Sequence, residues 1–264
     1  MGAKGKRNMV LQEIIEIIEE RYPLEYACAW DNSGLQVGDR AWEVDTVYVA
    51  LDATDEVIAA AAGSGAQLLL THHPLLFSGV KQVTADHLLG RRIMDLLEKK
   101  IASYAMHTNY DALGLAQLAS DRLGLKETFV LEEVLDGEGI GRVGFLPAPM
   151  TLGECAQLVK EKFDLPNVKV FGDLNVQVNL AALSPGSGKS MTGHALAAGA
   201  DVLITGDIDH HTGIDLWDEG VPIIDAGHYG TEHLYIEDMK RFLEEKCPQL
   251  KIVIAPIRQP FQVI

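Results

Sequence analysis

Gly65-Ala66-Gln67-Leu68-Leu69-Leu70-Thr71-His72-His73-Pro74 is the stretch on which the fold turns. Leu68 to Thr71 is a short continuous apolar run, which suits a strand buried on both faces of a parallel sheet; a half-exposed strand would alternate. The glycines ahead of it, Gly63 and Gly65, end a helix that opens after Thr54, with Asp55 and Glu56 in the first turn where the helix dipole favours them. Before that helix lies another β-branched run, Thr46 to Leu51. After the His-His-Pro turn come a helix over about 85–100, a strand over 101–106 and a helix reaching about Leu123. Strands alternating with helices in this way are βα units around a mostly parallel sheet, so the fold class is α/β.

The same layout returns downstream as Gly199-Ala200-Asp201-Val202-Leu203-Ile204-Thr205. A helix follows, then Val221 to Asp225, a helix over about 231–246 and a closing strand over 252–255. Between the two halves the pattern changes. Residues 128–134 and 141–146 read as strands with no helix between them, and the Gly and Pro of 136–149 punctuate the segment. Thr151, with Glu154 three residues on, reads as a capping box opening a helix to about Phe163. The expected division is therefore a first α/β domain over 1–127 and a second over 128–264, the C-terminal segment packing back on the first.

Charge narrows the function. The 264 residues carry 22 Lys plus Arg against 38 Asp plus Glu, a formal net charge of −16. Nucleic-acid binding needs a basic stripe to release phosphate counterions, and the only clustered positive charge is the start at Lys4, Lys6 and Arg7, which reads as a frayed tail. No nucleic-acid partner is expected. No stretch approaches the roughly 20 apolar residues of a membrane span, so no membrane partner is expected either. The cysteines, Cys28, Cys155 and Cys247, are far apart and odd in number, against both a disulfide framework and a thiolate metal site. A reducing, cytoplasmic setting follows as the simplest expectation.

Three polar clusters sit where parallel sheets place their ligand crevice, at the carboxyl ends of strands. They are His72-His73, then His107-Thr108-Asn109-Tyr110-Asp111, then His228-Tyr229-Gly230-Thr231-Glu232. Neighbouring histidines in a loop can be merely solvated, and Asp111 can simply cap the next helix. Adjacent side chains in extended backbone diverge, however, so His72 and His73 suit two ions of a close pair better than one. His228 and Glu232, four apart, share a face if the helix begins early. A mixed nitrogen and oxygen set suits Zn, Fe(II), Mn or Ni better than Mg or Ca. Two such ions bridged by a carboxylate acidify a trapped water and clamp a developing oxyanion, which is hydrolase chemistry. The same residues can also only hold metal.

Ser184-Pro185-Gly186-Ser187-Gly188-Lys189-Ser190 ends like a phosphate loop but fails the pattern, because the opening glycine of G-x-x-x-x-G-K-S falls on Leu183. A glycine-rich turn into a helix can still cradle an anion, with Lys189 and Ser190 assisting; a plain turn is the alternative. His211, in the Asp207-Ile208-Asp209-His210-His211 segment, is either a pocket residue or part of a solvated loop.

Taken in order, Asp31-Asn32-Ser33-Gly34-Leu35-Gln36-Val37-Gly38, His72-His73-Pro74, His107 to Asp111, Gly186-Ser187-Gly188, Thr205-Gly206-Asp207 and Gly227 to Glu232 resemble the Nif-three-like dinuclear-metal family. Its members are often labelled GTP cyclohydrolase 1 type 2 homologues. The resemblance runs from about residue 9 to the C-terminus. It implies two α/β domains with a dinuclear metal site in the cleft between them. It also implies His72, His73, Asp111, His228 and Glu232 as ligands of two divalent transition-metal ions, Zn, Fe or Mn, with Glu232 bridging. His107 is then an extra ligand or a donor behind the ligands, and His211 a residue near the pocket. Family members resemble ring-shaped homohexamers, trimers of dimers. The function implied is metal-dependent hydrolysis of a small-molecule substrate, a nucleotide or a related compound; the alternative is a non-enzymatic iron carrier or cofactor-assembly protein. No guanine-reading residue can be named from the sequence.

Overall fold

Three of the apolar runs become neighbours in space. In the computed structural model, which describes residues 8–264, the strands Thr46–Ala50, Leu68–Thr71 and Ala102–Ala105 pair in parallel. Lys4, Lys6 and Arg7 lie outside the described residues. Lys251–Ile254 adds to Thr46–Ala50, again in parallel, and Gly34–Val37 closes the opposite edge antiparallel to Ala102–Ala105. Every residue of the three central strands is buried. Helices cover such a sheet on both faces, which is why these runs do not alternate. Ile58 of the helix Asp55–Ser64 and Ile93 and Leu96 of the helix Leu88–Glu98 pack with Leu69 and Tyr48 in its core. The first helix starts where expected: the Thr54 hydroxyl accepts from Val57 N at 3.2 Å, and Gly65, at φ 76°, ends it in a left-handed cap.

The second sheet is mixed. Val202–Gly206 lies between Gln177–Ser187 and Ile223–Asp225 and is parallel to both. Outside these, Glu138–Thr151 runs antiparallel to Gln177–Ser187 and forms a hairpin with Lys126–Leu135, while Lys169–Phe171 runs antiparallel to Ile223–Asp225 at the other edge. The hairpin turns through Asp136 and Gly137, at φ 51° and 79°, the two positive angles whose twist matches that of the flanking strands. Val143, Ala182, Leu203, Leu216 and Ile223 form its core. Thr151 opens the helix Leu152–Lys162 in a full capping box, its hydroxyl accepting from Glu154 N at 3.2 Å while Glu154 Oε2 accepts from Thr151 N at 2.8 Å.

The chain divides into two compact units, residues 8–110 with 235–257, and 111–234 with 258–264. The helix Leu234–Lys246 belongs almost wholly to the first, contributing Tyr235, Ile236, Met239 and Leu243 as buried side chains. Among the described residues no helix is long and apolar enough to cross a membrane. Cys155 is buried, and burial pushes its thiol up to about 12, the behaviour of an inert core thiol.

Candidate metal centre

The first unit delivers three imidazoles from two strand ends. His72 and His73 follow Leu68–Thr71, and His107 follows the neighbouring parallel strand Ala102–Ala105, so all three emerge on one rim. One ligand nitrogen of each lies within 4.8 Å of the others. Each ring is held from behind. His72 Nδ1 donates to the Met106 carbonyl, His73 Nδ1 to Asp52 Oδ1 and His107 Nδ1 to Asp31 Oδ1, each at 2.8 Å. A carbonyl or an ionised carboxylate only accepts, so in the neutral ring the proton sits on Nδ1 and Nε2 carries the lone pair. That is the tautomer an Nε2-ligating histidine needs, with the outer hydrogen bond that orients the ring and raises its basicity.

Asp31 is itself clamped. It accepts from Thr108 N at 3.0 Å, Thr108 Oγ1 at 2.6 Å and Ser33 Oγ at 2.8 Å. Burial works to raise its carboxyl, but the hydrogen bonds from His107, Thr108 and Ser33 outweigh burial and hold it well below the usual carboxylate range. His72 packs against two buried phenols, Tyr110 and Tyr235, with ring centroids 6.1 and 5.2 Å away. Burial and the Asp238 charge push the Tyr110 phenol well above its ordinary value, and it donates to Asp238 Oδ2 at 2.7 Å. Tyr110 therefore stays a neutral donor.

In the second unit two carboxylates and an imidazole lie together. The helix His228–Glu232 begins straight after Gly227, whose φ of 77° lets the chain turn in from the strand. That early start puts His228 and Glu232 on one face, with His228 Nε2 3.0 Å from Glu232 Oε2. His228 Nδ1 is already bound to Asp207 Oδ2 at 2.8 Å. With the ring proton on Nδ1, the Nε2 lone pair and a buried carboxylate oxygen face each other at contact distance, which requires a proton or a cation between them. Asp111 opens a π-helical turn over Asp111–Leu115 instead of capping a helix, and a carboxylate oxygen of it lies within 4.8 Å of one of Glu232. Such turns are frequent at functional sites.

The glycine-rich segment has a steric task in the same unit. The strand Gln177–Ser187 runs on through it with a register shift after Leu183. A Cβ on Gly186, at φ 76°, would run into the Glu232 carboxylate, and one on Gly188 into the Thr205 hydroxyl. Gly186 N donates to Thr231 Oγ1 at 2.9 Å. Gly186 lets the backbone pass close to the carboxylate and Gly188 lets it pass close to Thr205, and the helix after them, Thr192–Ala197, is short. Lys189 is exposed and paired with Asp209 at 2.7 Å, Ser190 is exposed, and His211 is an exposed residue of the first turn of His210–Asp218, its ring beside that of His210.

The acids behind the imidazoles were the part least visible in sequence. Asp31 and Asp207 stood within recognised motifs without an assigned role. Asp52 stood in none. Its signal was its place two residues past the strand Thr46–Ala50, which pairs in parallel with Leu68–Thr71 and so shares its rim.

The described residues thus include histidine and acid groups close enough to hold a metal ion. Relatives agree on the family. A Clostridium perfringens protein named GTP cyclohydrolase 1 type 2 homolog is 37% identical over 262 residues, an alignment covering 97% of this chain and 100% of that one. Among solved structures, a Bacillus cereus protein related to NIF3 superposes with a TM-score of 0.87 at 25% identity, covering 99% of this chain and 100% of that one. Reduced HcgD from Methanocaldococcus jannaschii superposes with a TM-score of 0.84 at 32% identity, covering 94% and 98%. Residues 9–260 match the family described as Duf34/NIF3 (NGG1p interacting factor 3), and the chain belongs to that family.

Proposed function

We propose that this chain is a metal-dependent hydrolase whose imidazole set and carboxylate set serve one pair of divalent transition-metal ions. The residues that would hold the ions are His72, His73, Asp111, His228 and Glu232. The observation that carries the reading is the proton arrangement: four histidines have Nδ1 taken by a carboxylate or carbonyl, and one Nε2 meets the Glu232 carboxylate at 3.0 Å. Imidazole nitrogen with carboxylate oxygen suits Zn, Fe or Mn. When bound, such ions act as Lewis acids on a carbonyl or phosphoryl group and acidify water.

The chain's own residues do the positioning. Asp52, Asp207 and the Met106 carbonyl keep the protons of His73, His228 and His72 on Nδ1 and fix the ring planes. Gly186 leaves beside the Glu232 carboxylate the space that any side chain there would fill. Tyr110 and Tyr235 exclude water behind His72. The substrate class that fits is a nucleotide or related small molecule, in keeping with the name carried by the Clostridium perfringens relative.

Metal-loaded protein is expected to hydrolyse GTP or a member of a panel of nucleotides and cyclic amides. Glu232→Ala should lower turnover by about 100-fold or more, as losing a charge-stabilising group does, with circular dichroism unchanged. No turnover on the whole panel, together with rapid reversible handover of iron to a chelator or partner protein, would instead establish a metal carrier.

A further inference from the structure

Two large aromatic side chains stand exposed beside the imidazole cluster of the first unit. Trp30 is 65% and Phe77 56% exposed. Both rings contact the same imidazole, His107, at centroid distances of 5.8 and 5.7 Å and interplanar angles of 77° and 87°. Each ring is therefore close to perpendicular to the His107 ring, and the His107 centroid is 5.3 and 5.6 Å from those of His72 and His73. Covering aromatic rings of this size is strongly favourable, and here two of them lie open against one imidazole of a polar cluster.

The two walls are tied to each other. Trp30, Asp31 and Asn32 are consecutive: Asp31 fixes the His107 ring, and Asn32 Nδ2 donates to the Leu76 carbonyl at 2.5 Å, immediately before Phe77. Leu76 N in turn donates to Gln36 Oε1 at 2.9 Å. Phe77 lies in residues 74–87, a segment that forms neither helix nor strand, and loops of that length inside compact units are usually functional. Anchored at Leu76, its start is held in place and the aromatic pair is preorganised.

We propose that Trp30 and Phe77 bind a flat heteroaromatic ring, of the nucleobase or pterin class, with its polar edge toward His107 and its faces against the aromatic side chains. Apolar aromatic walls around a few convergent polar groups are the usual make-up of a small-molecule site, and stacking on aromatic side chains tolerates any ring with a π face. The proposal rests on the imidazole cluster being the reaction site; it adds the part of the substrate that is held and the residues that hold it.

The test is calorimetric titration of the purified chain with guanosine 5′-monophosphate and pterin-6-carboxylate, with ribose 5-phosphate as a ring-free control. The ring compounds should bind at least about tenfold more tightly than the control, and Trp30→Ala or Phe77→Ala should weaken them by about tenfold or more. Metal content and melting temperature should stay at wild-type values, and Trp30→Phe should restore most of the affinity. Equal binding of the sugar phosphate, or alanine variants that bind the rings like wild type, would overturn the proposal. So would alanine variants that change the number of chains per particle in light scattering while ring binding is unaffected, since the aromatics would then serve self-association. A wild-type chain that holds metal yet binds neither ring compound overturns this proposal alone. One that lacks metal yet binds them through Trp30 and Phe77 overturns the metal reading and supports this one.

Discussion

Gly186 concentrates two demands on one residue, a positive φ of 76° and an approach to Glu232 that leaves no room for a Cβ. Gly186→Ala should therefore cost about 1–3 kcal/mol of stability from backbone strain, read by thermal melting, and should lower metal content because Glu232 is displaced. Asp31 offers a second test. Its carboxyl is held below the ordinary range despite burial, by His107, Thr108 and Ser33. A depressed folded value means stability that is present above the unfolded value of about 4 and is lost as the pH falls below it. Asp31→Asn should cost about 1–3 kcal/mol at neutral pH, and the melting difference from wild type should shrink steadily as the pH drops below about 4. A difference independent of pH would contradict the ionised clamp. His72, His73, Asp111, His228 and Glu232 were legible as candidates because each stands in a short motif that follows an apolar strand. Asp52 was not, because what brings it to His73 is the pairing of two strands, a contact that no local pattern encodes.

Elements were legible where chemistry at their ends is local. Thr54 and Thr151 both cap helices as their spacing to the following residues suggested. Thr151→Ala should cost about 1 kcal/mol in thermal melting and leave metal content unchanged, since its effect is confined to the start of the helix Leu152–Lys162. Metal loss in that variant would mean that this helix steers the centre. The strand Gly34–Val37 was read only as a motif: it pairs antiparallel at a sheet edge and is half-buried at its two central residues, so it has no continuous apolar run. The end of Gln177–Ser187 was read as a turn because glycines normally punctuate; here they continue a strand past a carboxylate.

At the scale of the whole molecule, the composition of the first unit is set by pairing across about two hundred residues, Lys251–Ile254 against Thr46–Ala50, and by the buried face of Leu234–Lys246. The sequence alone implies a C-terminal segment packing back on the first domain but names no partner strand, because periodicity reports only neighbours along the chain. A fragment ending at residue 127 lacks both elements and leaves Thr46–Ala50 as an open edge. It should show no cooperative melting transition, checked by circular dichroism and calorimetry; a sharp transition near that of the full chain would show that the first unit closes without them.

The most direct measurement is metal content by mass spectrometry on protein purified with neither added metal nor chelator, repeated on His73→Ala and Glu232→Ala. Close to two transition-metal ions per chain are expected in the wild type, with most of both lost in each variant while circular dichroism is retained. Absence of metal in the wild type, or equal metal in all three proteins, would contradict a dinuclear centre and leave these histidines and acids as ordinary polar groups at strand ends.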